Sequence, residues 1–418
     1  MTRCSRWMTL CSALLLAAGC DDGPPPNTGG TSADRGILVV NTDFAATNVS
    51  LVGLDGSVLS PSFYSSSSPL PGNEGSTAAL SADVVVPTMP QAGDRLVLID
   101  RHFGVLSWVD RATGKLDHLL RVGPNVPLNL QDYAEISPRK AYVPNLDPKL
   151  DPGLGAVERG SNLVIVDPGA PAILGAVDLT PAMDGDDPGF YPRPTRVVLV
   201  GERAHLLLAP ATQYFDKTAV ARIVTLDTKA DAIVSVTKLD GLHNCTGLAL
   251  SPSAARLAVT CSGTFHTTAA GQRLANLGEA GVVVLSLHDG ALTEEKRWSA
   301  EEIGKGPPGF SASFATEDRL TFPTFGELGD DGKPTRGDTL LTLDLGTSAV
   351  ETTLDVADAF VIGETRCVAD AGLCFVAEAN QGGRTLHRFT VQNGALGADR
   401  AITVDPEHGL PPRYLGQF

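Results

Sequence analysis

One stretch of this chain, Thr246 to Ser299, reads as four short apolar strands joined by turns, and the rest of the chain repeats that pattern. Its first two strands flank Leu250 to Arg256, which contains a Ser-Pro pair and small residues. The third strand, Val282 to Leu287, ends at the turn His288-Asp289-Gly290, and the fourth runs to Trp298. Apolar, β-branched runs separated by such turns predict a four-stranded antiparallel sheet, whose strands we name a to d in chain order.

Seven copies of this unit are expected between residues 35 and 418. A period of roughly 45 to 55 residues with four strands per copy is typical of a β-propeller, in which neighbouring sheets cover one another's apolar faces. The first copy lacks a strand a before Ile37, whereas Pro412 to Phe418 reads as a spare one. We therefore predict an all-β, seven-bladed β-propeller of four-stranded antiparallel blades, closed by the C-terminal strand completing blade one. A two-domain β-sandwich is the alternative, but it explains neither the repeat nor the matching ends.

Two segments of the repeat carry a recognisable motif. Leu250 to Cys261 reads LSPSAARLAVTC, and Ile136 to Asn145 reads ISPRKAYVPN. Both resemble the Ser-Pro-Asp-Gly…Leu-Tyr-Val-Thr-Asn repeat of YVTN-type (quinoprotein-like) propellers, in which strand c ends in a Val/Leu-Asp pair. Pairs of this kind occur here at Val166-Asp167, Leu226-Asp227 and Leu343-Asp344. The resemblance implies a propeller scaffold without naming a ligand.

The N-terminal residues read as a targeting segment and not as part of the fold. Arg3 and Arg6 precede the apolar run Trp7 to Ala18, which is too short to span a bilayer as a helix. The run leads into Ala17-Ala18-Gly19-Cys20 and resembles a bacterial lipoprotein signal, in which the cysteine is lipidated. We predict a lipoprotein signal peptide at 1–19, lipidation at Cys20, a flexible Gly/Pro/Ser/Thr-rich tether at 20–34 and the propeller domain at 35–418. Ordinary secretion with cleavage near Ala18 is the alternative.

The charge of the chain disfavours two classes of partner. A formal net charge of -16 opposes binding to nucleic acid, whose phosphates require a face rich in Lys and Arg, and adsorption onto anionic lipid headgroups. We predict an exported monomer in the bacterial cell envelope, held at a membrane through its lipid anchor only. Whether this is the inner or the outer membrane stays open.

Cysteine spacing supports export. Once the leader and the lipid site are set aside, four cysteines remain: Cys245, Cys261, Cys367 and Cys374. The first two are equally distant from Ser253, and the last two flank Ala369 to Gly372 symmetrically. Each pair would face across an antiparallel hairpin, which predicts the disulfides Cys245–Cys261 and Cys367–Cys374. Free buried thiols are the alternative, and no His has the spacing for a metal site with them.

Loop lengths indicate where function could lie. The a–b and c–d turns are short, whereas the b–c and d–a connections, which leave a four-stranded meander on the same face, are long. Long connections are Pro144 to Asn162, Thr180 to Thr195, Ser262 to Gly281, Ser299 to Phe310 and Thr324 to Asp338. We expect all of the elaboration to lie on one rim around the channel mouth, where scaffolds commonly bind their ligands. The alternative is that these surface loops are long without any function, because insertions at the surface are tolerated.

These loops also carry the candidate ligand-binding side chains. Carboxylates that converge on one rim could hold Ca²⁺, although none has the spacing of an EF-hand and solvated turns are the alternative. The carboxylates are Asp147, Asp151, Glu158, Asp184, Asp186, Asp187, Glu327, Asp330 and Asp331. Possible countercharges are Arg159, Arg193, Lys333 and Arg336. Phe190 to Pro194 could form a recognition patch, although packing at the rim is the favoured alternative. His243 and His266 fall in or beside the same loops.

Catalytic motifs are absent from the sequence: it has no Gly-x-Ser-x-Gly, His-Glu-x-x-His, phosphate-binding Gly loop or haem-attachment motif. We therefore name no catalytic residue, no metal ligand and no cofactor. The prediction is a non-enzymatic binding or scaffolding module that contacts an envelope protein or a glycan through its long-loop face. The alternative is a metal-assisted hydrolase of the lactonase-like propeller type, with the metal held by channel-facing carboxylates.

Overall fold

Seven four-stranded antiparallel sheets make up the protein, arranged as the blades of a β-propeller. The structure is a computed structural model that describes residues 35–70, 78–267, 273–380 and 384–418. This confirms the predicted all-β, seven-bladed fold. The predicted signal peptide, Cys20 and the tether lie outside the described residues. No helix among the described residues is long and apolar enough to cross a membrane.

Strand a of each blade lines the central channel, and strand d lies at the outer rim. In blade one, strands a to d are Pro412–Gln417, Gly36–Thr42, Thr47–Gly53 and Val58–Ser65. In blade two they are Val84–Val85, Arg95–Asp100, Val105–Asp110 and Leu116–Arg121. In blade three they are Ala134–Ser137, Lys140–Asn145, Asn162–Asp167 and Ala172–Val177. In blade four they are Pro194–Val200, Arg203–Leu208, Arg222–Asp227 and Ala232–Lys238.

The remaining blades follow the same plan. In blade five, strands a to d are Cys245–Leu250, Arg256–Ser262, Ala280–His288 and Ala291–Ser299. In blade six they are Ser313–Thr316, Arg319–Thr324, Thr339–Asp344 and Val350–Asp355. In blade seven they are Ile362–Val368, Leu373–Glu378, Thr385–Gln392 and Ala395–Ile402. Short helices in the connections are the α-helix Ala300–Ile303 and the 3-10 helices Thr180–Met183, Leu277–Glu279 and Ala369–Ala371.

The C-terminal strand closes the ring as predicted. It pairs antiparallel with strand b of blade one, with Val39 opposite Leu415 and Ile37 opposite Gln417. Leu415 is fully buried in the apolar cluster shared by blades seven and one, and Phe418 lies in the cluster shared by blades one and two. The two ends of the chain therefore join one sheet, and residues 35–418 supply every strand of all seven blades.

Aliphatic side chains between neighbouring blades form the core. Between blades five and six, for example, Ala258 and Val284 pack with Phe322 and Leu341. Strands b and c are buried on both faces, which is why they read as continuous apolar runs, whereas the outer d strands alternate with exposed residues. Where inner strands meet, side chains must be small: a Cβ on Gly363 would lie 2.4 Å from the carbonyl oxygen of Arg413.

The aspartate that ends strand c stabilises the c–d turn. In blade four, Asp227 Oδ1 accepts hydrogen bonds from the backbone N–H groups of Lys229 and Ala230, while its other oxygen pairs with Arg203 at the start of strand b. These contacts lower the pKa of Asp227 to about 2, with the Ala230 N–H the largest cause. Asp344 of blade six binds its turn amides and Arg319 in the same way. The repeated Val/Leu-Asp pairs therefore have a structural role.

Both predicted disulfides are present. Cys245 and Cys261 are opposite each other on strands a and b of blade five, and Cys367 and Cys374 are opposite each other on the same strands of blade seven. All four cysteines are buried. Each bond links neighbouring inner strands across a short loop, so it removes freedom from the unfolded chain without joining one blade to another.

Two features of the connections differ from the sequence-based prediction. First, not all of the elaboration lies on one rim, because the a–b connection of blade two, residues 86–94, is long. Pro87 and Pro90 lack the N–H groups that would continue strand a, and the Gln91 side chain forms hydrogen bonds with the backbone of Val97 in their place.

Second, the b–c connections of blades five and six contain extra hairpins. These are formed by Phe265–Thr267 with Arg273–Ala275 and by Glu327–Leu328 with Pro334–Arg336.

Candidate ligand-binding funnel on the long-loop face

A cavity of about 560 Å³ opens at the channel mouth on the long-loop face. Its wall consists of the first residues of several a strands and of the b–c connections, so almost every blade contributes to it. The lining includes five phenylalanines, three arginines, one glutamate and several small polar residues. We call this cavity the funnel. Its volume suits a small molecule or the end of a chain.

An ion pair across the channel forms the floor of the funnel. Arg196 on strand a of blade four donates to a carboxylate oxygen of Glu364 on strand a of blade seven at 2.6 Å. The other oxygen of Glu364 accepts the backbone N–H of Leu415 at 2.9 Å. The side chains of Arg196 and Glu364 are 13% and 6% exposed, so the pair lies largely out of water. Burial is the largest single influence and lowers the pKa of Arg196, but the nearby carboxylates of Glu364 and Asp132 together outweigh it, so the Arg196 pKa is raised.

The long connection of blade two seals the channel beneath this pair. The Thr88 backbone N–H donates to Asp132 of blade three at 2.8 Å, and its carbonyl accepts from Arg366 of blade seven at 2.9 Å. Met89 packs on the core shared by blades four and five, and the Gln91 N–H donates to the Gln417 carbonyl of blade one. Residues 86–94 thus contact blades one, three, four, five and seven, and we infer from these contacts that the funnel is closed at its floor.

Five phenylalanines gather at the mouth although the whole chain has 14. They are Phe44, Phe215, Phe310, Phe325 and Phe360. Phe325 is buried and lies between Phe310 and Phe360, with its ring centroid 4.7 and 5.4 Å from theirs in an edge-to-face and a tilted contact. The other four side chains are 44% to 57% exposed. A cluster of exposed aromatic rings around one opening is a feature of binding surfaces, because such rings offer large rigid contact areas.

Three of these phenylalanines have a left-handed backbone, which is costly for a bulky side chain. The φ angles of Phe44, Phe215 and Phe360 are 64°, 58° and 62°. Asp338 holds Phe360 in place, because its buried carboxylate accepts the N–H groups of Phe360, Val361, Ile362 and Gly326 at 2.6 to 2.8 Å. One side chain therefore fixes both loops that carry Phe325 and Phe360.

Replacing Asp338 with Ala should loosen this side of the mouth. Four buried N–H groups would lose their acceptor, and we expect the free energy of unfolding to fall by about 3 kcal/mol or more. Urea denaturation measures this loss. Asp331→Ala removes an exposed carboxylate from the adjacent hairpin and should change stability by no more than about 0.5 kcal/mol. Equal effects of the two substitutions would contradict the role of Asp338.

Arg193 holds the loop that carries Phe215. Its buried guanidinium donates to the carbonyls of Thr212 and Gln213 at 2.7 and 2.8 Å and pairs with Asp147 at 2.9 Å. The same group lies 3.6 Å from the centroid of the Phe215 ring. Arg193 and Asp147 were singled out from the sequence as a countercharge and a cation ligand. The structure places them together as supports for an aromatic side chain of the mouth.

The other residues singled out from the sequence do not line the funnel. Glu158 is buried and accepts from Asn125, and Asp186 pairs with Arg222 at 2.6 Å. His243 bonds Thr218 Oγ1 at 2.8 Å behind the wall, and Tyr191 forms a β-bridge with Ala211. The remaining positions are solvent-facing or partly buried loop residues: Asp151, Arg159, Asp184, Asp187, His266, Glu327, Asp330, Asp331, Lys333 and Arg336.

The described carboxylates do not assemble into a cation site. Among residues 35–70, 78–267, 273–380 and 384–418, no group of three or more His, Cys, Asp or Glu side chains could hold a metal ion. Within the funnel, Glu364 is committed to Arg196 and the Leu415 N–H. Below it, Asp132 accepts from the N–H groups of Thr88, Tyr133 and Val197. The carboxylate oxygens of Glu364 and Asp132, which could otherwise bind Ca²⁺, therefore already accept hydrogen bonds.

Comparison with known proteins supports the fold. No protein-family model matches the chain, and no curated protein matches its sequence. A proposed 6-phosphogluconolactonase from Bacteroides uniformis is similar in structure, with a TM-score of 0.53 at 12% identity over 92% of this chain and 100% of that one. The β-propeller domain of Myceliophteria thermophila Cps50 (Swd1) is similar with a TM-score of 0.52 at 13% identity over 85% and 96% of the two chains. At such low identity these likenesses show the fold alone.

Proposed function

We propose that this protein is an exported, lipid-anchored binding module of the bacterial cell envelope, non-enzymatic and monomeric, with the funnel as its ligand-binding site. The observation that carries the proposal is the ring of exposed phenylalanines around a blind cavity. Exposed aromatic rings at the opening favour binding of a ligand, and a closed floor prevents that ligand from passing through the channel. The YVTN-type segments of blades three and five, and the leader that resembles a lipoprotein signal, support the envelope assignment.

The two disulfides are consistent with an oxidising, exported compartment. Arg35, the first described residue, pairs with Asp370 in the a–b turn of blade seven and therefore lies on the short-loop face, opposite the funnel.

The alternative function, a metal-assisted lactonase-like hydrolase, has less support in the site. The proposed 6-phosphogluconolactonase with a similar structure is 12% identical, and its name says nothing about this chain. A hydrolase would need a free carboxylate or a metal ligand in the funnel, whereas Glu364 is paired there with Arg196. We therefore keep the binding function as the proposal.

Thermal-shift measurements with fractionated envelope extract test it. Residues 35–418 should gain several degrees in melting temperature with at least one fraction, because a ligand that binds only the folded state stabilises it. A Phe44→Ala/Phe360→Ala variant should lose that gain, whereas Leu174→Ala, which removes a 55% exposed apolar side chain from an outer strand, should keep it. The proposal fails if no fraction shifts the wild type, or if the variant with the altered mouth responds equally.

A further inference from the structure

The charged side chains of the funnel are mainly cationic, although the chain as a whole is acidic. Arg101, Arg196 and Arg413 line the cavity, and Glu364 is the one carboxylate among the lining residues that the structure describes. The formal net charge of the chain is -16. A cationic cavity in an acidic protein attracts anions locally, because low-dielectric walls concentrate its field.

The three arginines differ in how far their hydrogen-bond donors are used. The guanidinium of Arg196 bonds Glu364, Thr88 and the Thr246 carbonyl. Arg101 binds Asp83 and the Tyr414 hydroxyl, and its ion pair with Asp83 cancels part of its charge. Arg196 and Arg101 therefore mainly support the wall and the floor.

Arg413 has donors to spare. Its Nε donates to the Thr42 carbonyl at 3.0 Å, and its guanidinium carbon lies 4.6 Å from the centroid of the Phe44 ring. Within the described part of the chain, its two terminal nitrogens have no hydrogen-bond or ion-pair partner. Those nitrogens form a planar fork, which suits the paired oxygens of a carboxylate, a sulfonate or a phosphate.

Aromatic rings line the same cavity as this fork. Phe44 lies against the Arg413 guanidinium, and Phe310, Phe325 and Phe360 form a continuous cluster elsewhere in the lining. A ligand that satisfies both features must carry an anionic group and an apolar or aromatic body. The cavity of about 560 Å³ has room for a molecule with two or three rings, but not for a folded protein segment.

We propose that the funnel binds a small organic anion with an apolar or aromatic body, with Arg413 binding its anionic group and the phenylalanines packing against its body. This inference rests on the proposed function and names the ligand class of the same site. A neutral glycan or a neutral apolar compound would leave the free guanidinium of Arg413 unused.

Two fluorescent probes test the inference on residues 35–418. Anilinonaphthalene sulfonate carries an anionic group on two aromatic units, and phenylnaphthylamine is the same frame without the charge. We expect saturable one-to-one binding of the anionic probe, and its affinity should fall as salt concentration rises. Arg413→Met should lower the affinity for the anionic probe by about tenfold and change the affinity for the neutral probe by less than about threefold. The affinity of Arg413→Lys for the anionic probe should lie between those of the wild type and Arg413→Met.

Two further variants separate the possible failures. Phe44→Ala/Phe360→Ala should weaken both probes, and Arg139→Met, which removes a 73% exposed guanidinium on the short-loop face, should weaken neither. If both probes bind with equal affinity, or if Arg413→Met affects both equally, the anion inference is wrong while the funnel remains a binding site. If the phenylalanine substitutions leave both probes unaffected, the proposed function fails as well. Should Arg413→Met not fold, the salt dependence of the two probes on wild type decides the question.

Discussion

Ending the chain at Pro411 is expected to abolish cooperative unfolding of the propeller. The lost segment contains strand a of blade one, and with it the buried side chains of Leu415 and Phe418. Their burial alone is worth about 3–6 kcal/mol. The lost pairing with Gly36–Thr42 adds to this and leaves an open strand edge. Because whole domains are stable by only about 5–15 kcal/mol, the shortened chain should aggregate or remain partly folded.

Circular dichroism and size-exclusion chromatography of residues 35–411 measure this effect. A synthetic peptide of residues 410–418 provides the control, because adding it should restore part of the compact state by refilling the missing strand. A longer chain that lacks only the predicted signal and tether, residues 35–418, should unfold in one transition. If residues 35–411 unfold at the same temperature and as sharply as residues 35–418, closure by the C-terminal strand does not stabilise the ring.

Replacing Arg196 with Met is expected to have the largest effect of any single substitution in the channel. Glu364 would keep the Leu415 N–H but lose its ion-pair partner while remaining only 6% exposed. Removing one member of a buried ion pair typically costs about 3–5 kcal/mol. Urea denaturation of Arg196→Met should therefore show a loss of this size. Since Glu364 also contacts the closing strand, the variant should lose stability at the junction of blades seven and one.

The double variant Arg196→Met/Glu364→Gln separates charge burial from packing. It removes both charges and leaves an amide that can still accept the Leu415 N–H, so most of the lost stability should return. The matched control on the surface is Lys229→Met, which breaks an exposed pair with Glu202 and should cost no more than about 1 kcal/mol. If the double variant is as unstable as Arg196→Met, the uncompensated charge of Glu364 is not the cause.

The architecture was predictable because its signals are local and repeated. Apolar strands, Gly-containing turns and the missing strand before Ile37 each follow from period and composition. Cysteines placed symmetrically about short turns predicted both disulfides. Blade two departed from the pattern because Pro87 and Pro90 end strand a early, so that a nominal turn became the segment that seals the channel. A strand prediction based on apolar runs does not show where such a segment goes.

The sequence predicted the face that bears the funnel but not the residues that line it. Loop lengths located that face, whereas most of the carboxylates in the long loops support those loops or face solvent. Phe44, Phe215 and Phe360 come from three different blades, and nothing in one repeat signals that their rings converge. A search for phenylalanines in b–c connections and at the starts of a strands would have found the mouth. The Arg196–Glu364 pair joins positions 168 residues apart, which a single sequence cannot bring together.

A crystal structure of residues 35–418 with anilinonaphthalene sulfonate, at a concentration near its measured dissociation constant, would show whether this propeller binds a ligand in the funnel. We predict that the probe lies in the funnel, with its sulfonate at Arg413, its rings against Phe44 and Phe360, and the Arg196–Glu364 pair intact beneath it. A probe found on the outer d strands or on the short-loop face, with the funnel containing only solvent, would contradict the claim that this propeller binds its ligand at the long-loop mouth.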